Sequence, residues 1–357
     1  MKTTYARPYS TSCYTRATLA LALTFLLTVV LIPGIGRAQQ DPYYSHFKFV
    51  PQAYNPASAG QRDGYICVSA LSHNQWRGFN DYTFVDRPPS TDQNQVISNV
   101  APSTYNFNIS TQVSKPGRRS FGALGLSMYD DQLGFMRTSS LKVQGAVFAF
   151  LGTGRLSVGM ELGLTQFGYV NPQFRFLHPN DPRIPQSSVS DQKPDVGIGF
   201  LYTARRLGPY IEDLYMGTSM SHVNGARYAL ANAGTYTLDR HYYLHGGCNI
   251  PVSRWSSVLE PAFLVKYNSK PQVDLNLTVL RNQTYRFGVG YRQWQTLDAI
   301  SLLMGWVHNQ IQLGYSYDIT ASKIQTVSNG THEFFVKYCF QLDHKDDQFY
   351  WKTIRDL

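Results

Sequence analysis

From about residue 64 onward, apolar and polar positions alternate. In the segment from Ile311 to Ile319, Ile311, Leu313, Tyr315, Tyr317 and Ile319 fall on one side and Gln312, Gly314, Ser316 and Asp318 on the other. Successive side chains of a strand point to opposite faces, so this segment has one apolar and one polar face. Val273, Leu275, Leu277 and Val279 stand in the same way against Gln272, Asp274, Asn276 and Thr278. Leu156, Val158, Met160, Leu162 and Leu164 oppose Ser157, Gly159, Glu161, Gly163 and Thr165. Tyr285, Phe287, Val289 and Tyr291 oppose Arg286, Gly288, Gly290 and Arg292. The pattern predicts 14 strands, starting near Gly64, Ser103, Phe121, Ser139, Arg155, Asp195, Asp213, Tyr242, Val258, Gln272, Tyr285, Asp298, Ile311 and His332. Most span about ten residues, the length a tilted strand needs to cross a bilayer. No amphipathic helix of comparable strength and no fixed-period repeat accompanies them, which argues against a propeller or solenoid.

The connections sort by parity. With the N-terminus placed in the periplasm, the odd connections face outside and include the long, polar or Pro/Asn/Gly-rich segments 78–102, 170–193, 222–241 and 320–330. The even ones include the short segments 152–154, 251–256, 281–284 and 308–310, with 204–212 intermediate. Short periplasmic turns and longer outside loops are the habit of outer-membrane barrels. The expected fold is therefore all-β, a transmembrane antiparallel up-and-down barrel of about 14 strands.

The ends frame this barrel. Residues 1–38 read as a signal peptide: Lys2, Arg7 and Arg16 precede a mainly apolar run from Ala17 to Ile32, Pro33 breaks it, and small residues surround a cut after Ala38. The run is short for a spanning helix. Residues 39–63 form an irregular strap, aromatic and proline-bearing. Residues 64–342 are the outer-membrane barrel, and 343–357 a polar tail on the periplasmic side. The leader carries four of the 32 basic residues and no acid, so the net charge falls from +9 to +5 on export. A weak, scattered positive charge gives no reason to expect a nucleic-acid partner. Cys67, Cys248 and Cys339 then remain, an odd number at wide spacing. They read as small apolar or lumen-lining side chains rather than a disulfide framework.

The strap and an ordered series of later motifs resemble the PorP/SprF family of type IX secretion system outer-membrane proteins. The resemblance rests on Asp41-Pro42, on Tyr44-Ser45-His46-Phe47, and on Asn55-Pro56-Ala57-Ser58-Ala59-Gly60. It continues through Asn74 to Phe79 with Gln75-Trp76, through Gly122 to Gly134 with Asp131-Gln132 and Gly134, and through 194–202, 214–223, 315–320 and 330–340. It departs from the family where Val50-Pro51 replaces an additional Asn-Pro and where Asn74 precedes the Gln-Trp step. The resemblance implies an integral outer-membrane barrel of Bacteroidetes-type bacteria that acts with the type IX secretion and gliding machinery. It implies protein partners: a secreted surface protein met by the outside loops, and a periplasmic peptidoglycan-associated lipoprotein. Outer-membrane lipid surrounds the barrel. The strap's prolines cannot donate ladder hydrogen bonds. The strap either packs inside the barrel or against its periplasmic rim, or simply covers one end.

Candidate chemistry is sparse. The histidines are dispersed, no HExxH occurs, and His241 and His245 lie about 13 Å apart on a strand, so no metal site is expected. No nucleophile motif or dinucleotide loop appears, and neither an enzyme nor a cofactor is expected. The polar faces carry Glu161, Asp274, Arg286, Arg292, Asp318, Glu333 and Lys337. These charges read either as a polar path or as a mutual network, with Asp274 near Arg286 or Arg292 and Asp318 near Lys337. Trp76, Trp294, Trp306, Tyr315, Tyr317 and Tyr338 are candidates for aromatic girdles. Two rival functions stay open: a channel for small solutes or hydrophobic nutrients, and a soluble carbohydrate-binding sandwich.

Overall fold

The computed structural model describes residues 41–79, 101–114, 119–170, 187–230, 234–252, 256–294, 296–321, 323–326 and 328–342. The expected leader, the 343–357 tail, and most of the 78–102 and 170–193 loops lie outside them.

The strands are β1 (Tyr65–Asn74), β2 (Ser103–Val113), β3 (Gly122–Leu133), β4 (Met136–Leu151), β5 (Gly154–Tyr169), β6 (Val189–Leu207), β7 (Ile211–Ser221), β8 (Arg227–Ala229), β9 (Thr235–Thr237), β10 (His241–Val252), β11 (Ser257–Tyr267), β12 (Pro271–Arg281), β13 (Tyr285–Trp294), β14 (Thr296–His308), β15 (Ile311–Thr320) and β16 (Thr331–Gln341). All but β8 and β9 close into one antiparallel barrel in which each stave pairs with its neighbours in sequence, and β16 returns to β1. An even number of staves lets the first and last strands meet antiparallel, here from Tyr65 opposite Gln341 to Asn74 opposite His332. Closure leaves no row of unpaired backbone groups facing hydrocarbon.

The alternation resolves as the sequence pattern requires. On β5, Val158, Met160, Leu162 and Leu164 are exposed on the outer face, whereas Ser157, Gly159, Glu161 and Thr165 are buried in the lumen. The same inversion recurs on β13, with Phe287 and Val289 exposed outward and Arg292 buried inward. A soluble sandwich would turn its apolar faces toward each other; here they point out into the membrane. Among the girdle candidates, Trp306 sits opposite Tyr285 and Tyr338 opposite Ile311, toward one rim. Tyr315 and Tyr317 sit opposite Phe334 and His332, toward the other. Trp76 lies in the turn after β1 with φ at 49°.

The long connections all leave from one rim, here the long-loop rim. Tight turns at 134–135 and 268–270 share that rim, so its loops are not uniformly long. The β7–β10 connection folds back as the β8–β9 hairpin. Tyr228 is fully buried, and Tyr236 stacks on Phe167 of the β5 inner face at 3.6 Å between ring centroids. This hairpin and its apolar cluster with Leu230 and Leu238 occupy the long-loop mouth.

Two expectations need correction. Staves β4, β5 and β6 run 16, 16 and 19 residues, and β6 begins at Val189 rather than near Asp195. The extra turns of β6 carry Ser190, Asp191, Gln192 and Lys193, polar on both faces, so alternation gives no sign of them. Cys67 and Cys339 are also not separate lumen-lining thiols. They face each other in register across the β1–β16 seam and form a disulfide, with Cα atoms 4.0 Å apart, leaving Cys248 free.

Candidate functional site: the strap in the lumen

The strap lies inside the barrel, not on its rim. It winds through three 3₁₀ turns, Phe47–Phe49, Pro51–Ala53 and Pro56–Ser58, each of short-range bonds suited to a proline-rich stretch that cannot join a ladder. Asp41 lies at the ends of β7 and β10 on the long-loop side. Gly60 lies beside Gln112 and Ala123, at the short-turn ends of β2 and β3. The strap thus runs nearly from mouth to mouth. Tyr44, Phe47, Phe49, Val50 and Tyr54 join Leu71, Tyr243, Leu264 and Phe335 of the staves in one buried cluster. Each large side chain removed from water contributes roughly 1.5–3 kcal/mol.

Polar latches fix the strap at defined points along its length. At its head, the Asp41 carboxylate meets His222 Nε2 at 3.0 Å and the Tyr243 hydroxyl. His222 Nδ1 meets Asp195 at 2.9 Å, and Lys142 bridges Asp195 and Glu161. Burial alone would raise the Asp41 pKa, but His222, His241 and Tyr243 hold it well below the usual carboxylate value. Burial works against a charged His222, yet Asp41 and Asp195 outweigh it and carry its pKa up to about 9.

Next along the strap, Glu333 accepts four N–H bonds, from the Ser45 and His46 backbones and from the His46 and His73 rings, all at 2.7–2.8 Å. The Ser45 hydroxyl bonds Asp318 at 2.6 Å, and its carbonyl accepts from Asn276 at 2.7 Å. Arg292 ties Asp274, Asp318 and Ser45 together at 2.9, 3.0 and 3.1 Å. Lys266 donates to the Pro42 carbonyl at 3.3 Å. Lower down, Lys48 and Arg286 share Glu260 at 3.2 and 2.8 Å. Burial lowers the Lys48 pKa, with Glu260 pulling the other way. Buried ions left single are costly, so each cluster holds its members only while the strap stays seated.

The Asn55–Gly60 motif forms the deepest seat. Asn55 caps its own turn by accepting from Ala57 N–H at 2.9 Å, and its amide donates to the Phe200 carbonyl and His245 Nε2, each at 3.0 Å. Pro56 and Ala57 press on Gly159, where an added Cβ would lie 2.3 Å from Ala57 N. Gly60 has φ at +61°, accepts from Gln112 at 2.6 Å, and leaves no space for a Cβ beside Ala123. Lumen-face glycines therefore admit the strap backbone.

Of the sequence-predicted residues, Asp41, Pro42, Ser45, Asn55, Pro56, Ala57 and Gly60 converge in this lumen, together with Glu161, Asp274, Arg286, Arg292 and Asp318. Gln75, Trp76, Asp131, Gln132 and Gly134 lie apart at the long-loop rim. There Gln75 N–H donates to the Pro102 carbonyl and Trp76 N–H to Thr331, Thr104 donates to Asp131 at 2.5 Å, and Gln132 closes the β3–β4 turn on Gly134. The expected Asp318–Lys337 neighbourhood does not form. Asp318 stands opposite Thr331 and Lys337 opposite Gln312, because β15 and β16 run antiparallel and place the two at different heights. Asp274 pairs with Arg292, and Arg286 with Glu260 instead. His73, His222, Lys48 and Lys142 escape sequence reasoning, and His46 enters it only as part of the Tyr44–Phe47 motif. Inward parity on the staves marks His73 and Lys142 as lumen-facing, but only the strap's path shows what they hold.

A closed 14-stave cylinder with an apolar exterior and a charged, filled interior is an integral outer-membrane β-barrel. The chain belongs to the type IX secretion system membrane protein PorP/SprF family, whose model matches residues 36–338. Family and fold are those of secretion- and transport-type outer-membrane proteins. Among solved structures, the chain is similar to the toluene transporter TbuX of Ralstonia pickettii, at 10% identity over 80% of this chain and 92% of that one, TM-score 0.46. It is also similar to the CymD monoaromatic hydrocarbon channel, at 12% identity over 86% and 94%, TM-score 0.47. BamA from Haemophilus ducreyi is a further such structure, at 9% identity over 78% and 71%, TM-score 0.40. Comparison with curated protein sequences gives no match.

Proposed function

We propose that this chain is a plugged docking barrel of the type IX machinery that holds a secreted surface protein at its long-loop rim and helps its export or anchoring. The 78–102, 170–193 and 222–241 segments meet that protein. The short turns, the lower strap and the tail meet periplasmic partners, a peptidoglycan-associated lipoprotein among them. One observation carries the reading: the lumen is occupied along its length by a strap whose Asp41, His46 and Lys48 pair with His222, Glu333 and Glu260 of the barrel. Such a barrel is built to present surfaces rather than to conduct.

The test is co-purification from native outer membranes. The intact chain should bring down one secreted surface protein, and shortening the 222–241 loop should lose it while the barrel stays folded. Unchanged retention after shortening each of the three long loops in turn would sink the proposal. The rival, a channel for small solutes or hydrophobic nutrients, requires the strap to leave. Planar-bilayer recording separates the two: silence fits docking, and a stable open pore in the intact chain fits transport.

A further inference from the structure

Asp41 opens the described strap, His222 follows the last residue of β7, and His241 begins β10. The register sets Ser221 opposite His241, and the strap brings Asp41 between the two strand ends. One ligand atom from each of the three residues lies within 4.8 Å of the others. The histidine side chains are 1% and 4% exposed and that of Asp41 is 15%.

The tautomers are set from outside the cluster. Asp195 has only acceptors to offer as a carboxylate, so His222 donates its Nδ1–H there, at 2.9 Å. Its Nε2 faces the Asp41 carboxylate, 3.0 and 3.2 Å from the two oxygens, a contact closed by a proton in the metal-free protein. Two lone-pair atoms at that separation repel unless a positive centre stands between them, either a proton or a metal ion. His241 donates Nδ1–H to the Asp239 carbonyl at 3.0 Å, with Nδ1 3.8 Å from Asp41 Oδ2, and its Nε2 lone pair accepts from the Asp41 N–H at 3.2 Å beside the Asn268 amide, donors that a metal ion would displace. A carboxylate or carbonyl on the far ring nitrogen is the arrangement that orients metal-ligating histidines. Tyr243 engages Asp41 Oδ2, which leaves Oδ1 toward His222.

We propose that Asp41, His222 and His241 form a site for a divalent transition metal of the zinc class, with water in the fourth position. Two imidazoles and one carboxylate suit zinc, cobalt or nickel rather than calcium or magnesium, which take all-oxygen shells. Bonds of about 2.0–2.2 Å set tetrahedral ligand atoms roughly 3.4 Å apart, so the His222–Asp41 pair, now at 3.0 Å, opens slightly and His241 turns in by side-chain rotation. The ion clasps the head of the strap to β7 and β10. The site goes beyond the docking reading and stands whether or not the strap ever moves.

The test uses the full chain in detergent, stripped with a chelator and titrated with Co²⁺ and then Zn²⁺. One equivalent of Co²⁺ should give the visible absorption of a tetrahedral nitrogen/oxygen site, and Zn²⁺ should displace it. His241→Gln and Asp41→Asn should each weaken binding at least tenfold, whereas His332→Gln, on the barrel's outer face, should leave it unchanged. Heat-modifiable migration in SDS reports that each variant is still a barrel. X-ray absorption of the zinc-loaded wild-type chain needs no variant and should show two imidazoles with oxygen. Absence of stoichiometric uptake, binding unaltered in the folded variants, or a shell of oxygen or sulfur alone would overturn the site.

Discussion

Asn55 shows how much one side chain does in this lumen. It is itself extended, caps the Pro56–Ser58 turn, and binds a backbone carbonyl of β6 and a ring nitrogen of β10. Asn55→Ala removes a cap worth about 1 kcal/mol. It also leaves buried groups without partners, at about 1–3 kcal/mol. Strap seating should weaken by roughly 2–4 kcal/mol in total, with little change to the staves. Limited proteolysis checks this: cleavage between Asp41 and Gly60 should appear in the variant at protease levels that leave the wild-type strap intact. Equal protection in both chains would refute the assigned role. Asn55 was legible in the sequence only as part of a motif. Its partners Phe200 and His245 lie 145 and 190 positions away, and no spacing rule joins an irregular segment to distant wall residues.

At the scale of elements, the staves were legible because a wall with lipid on one side and a polar lumen on the other forces a period of two. That signal fades wherever a stave rises beyond the bilayer, which is why the ends of β4 to β6 and the β8–β9 hairpin were not read. The seam disulfide was missed for another reason. Cysteine spacing along the chain carries no information about a contact made only when the first stave meets the last. The bond joins residues 272 positions apart and ties the one strand pair that no turn connects. Cys67→Ser should leave the barrel closed, since the β1–β16 ladder persists, but cost about 2–4 kcal/mol, the usual worth of a disulfide. In SDS gels the temperature that converts the compact to the extended band should fall. Reducing the wild type should reproduce that fall, and reducing the variant should do nothing. An unchanged conversion temperature would mean that the ladder alone holds the seam.

For the whole molecule, the question is why a barrel should be built around its own N-terminal segment. A 14-stave cylinder encloses more space than its side chains fill. Here the remainder is taken by the strap's aromatic rings and by ions borrowed from every side of the wall. The charged residues of the lumen divide between the two, with Glu333, Asp318 and Glu260 on the wall reaching to Ser45, His46 and Lys48 on the strap. Removing the strap takes one partner from each of these carboxylates, which keep Arg292, Arg286 and His73 of the wall, and opens a water path. Deleting residues 41–60 should therefore turn a silent barrel into one with stable conductance in planar bilayers. The same deletion should reduce retention of the secreted surface protein if the strap shapes the docking rim through Asp41 and the β7–β10 connection. Lasting silence in a barrel that still migrates as folded would show that the β8–β9 hairpin, not the strap, seals the pore. Conductance without loss of the partner would confine the strap to sealing and leave docking to the long loops alone.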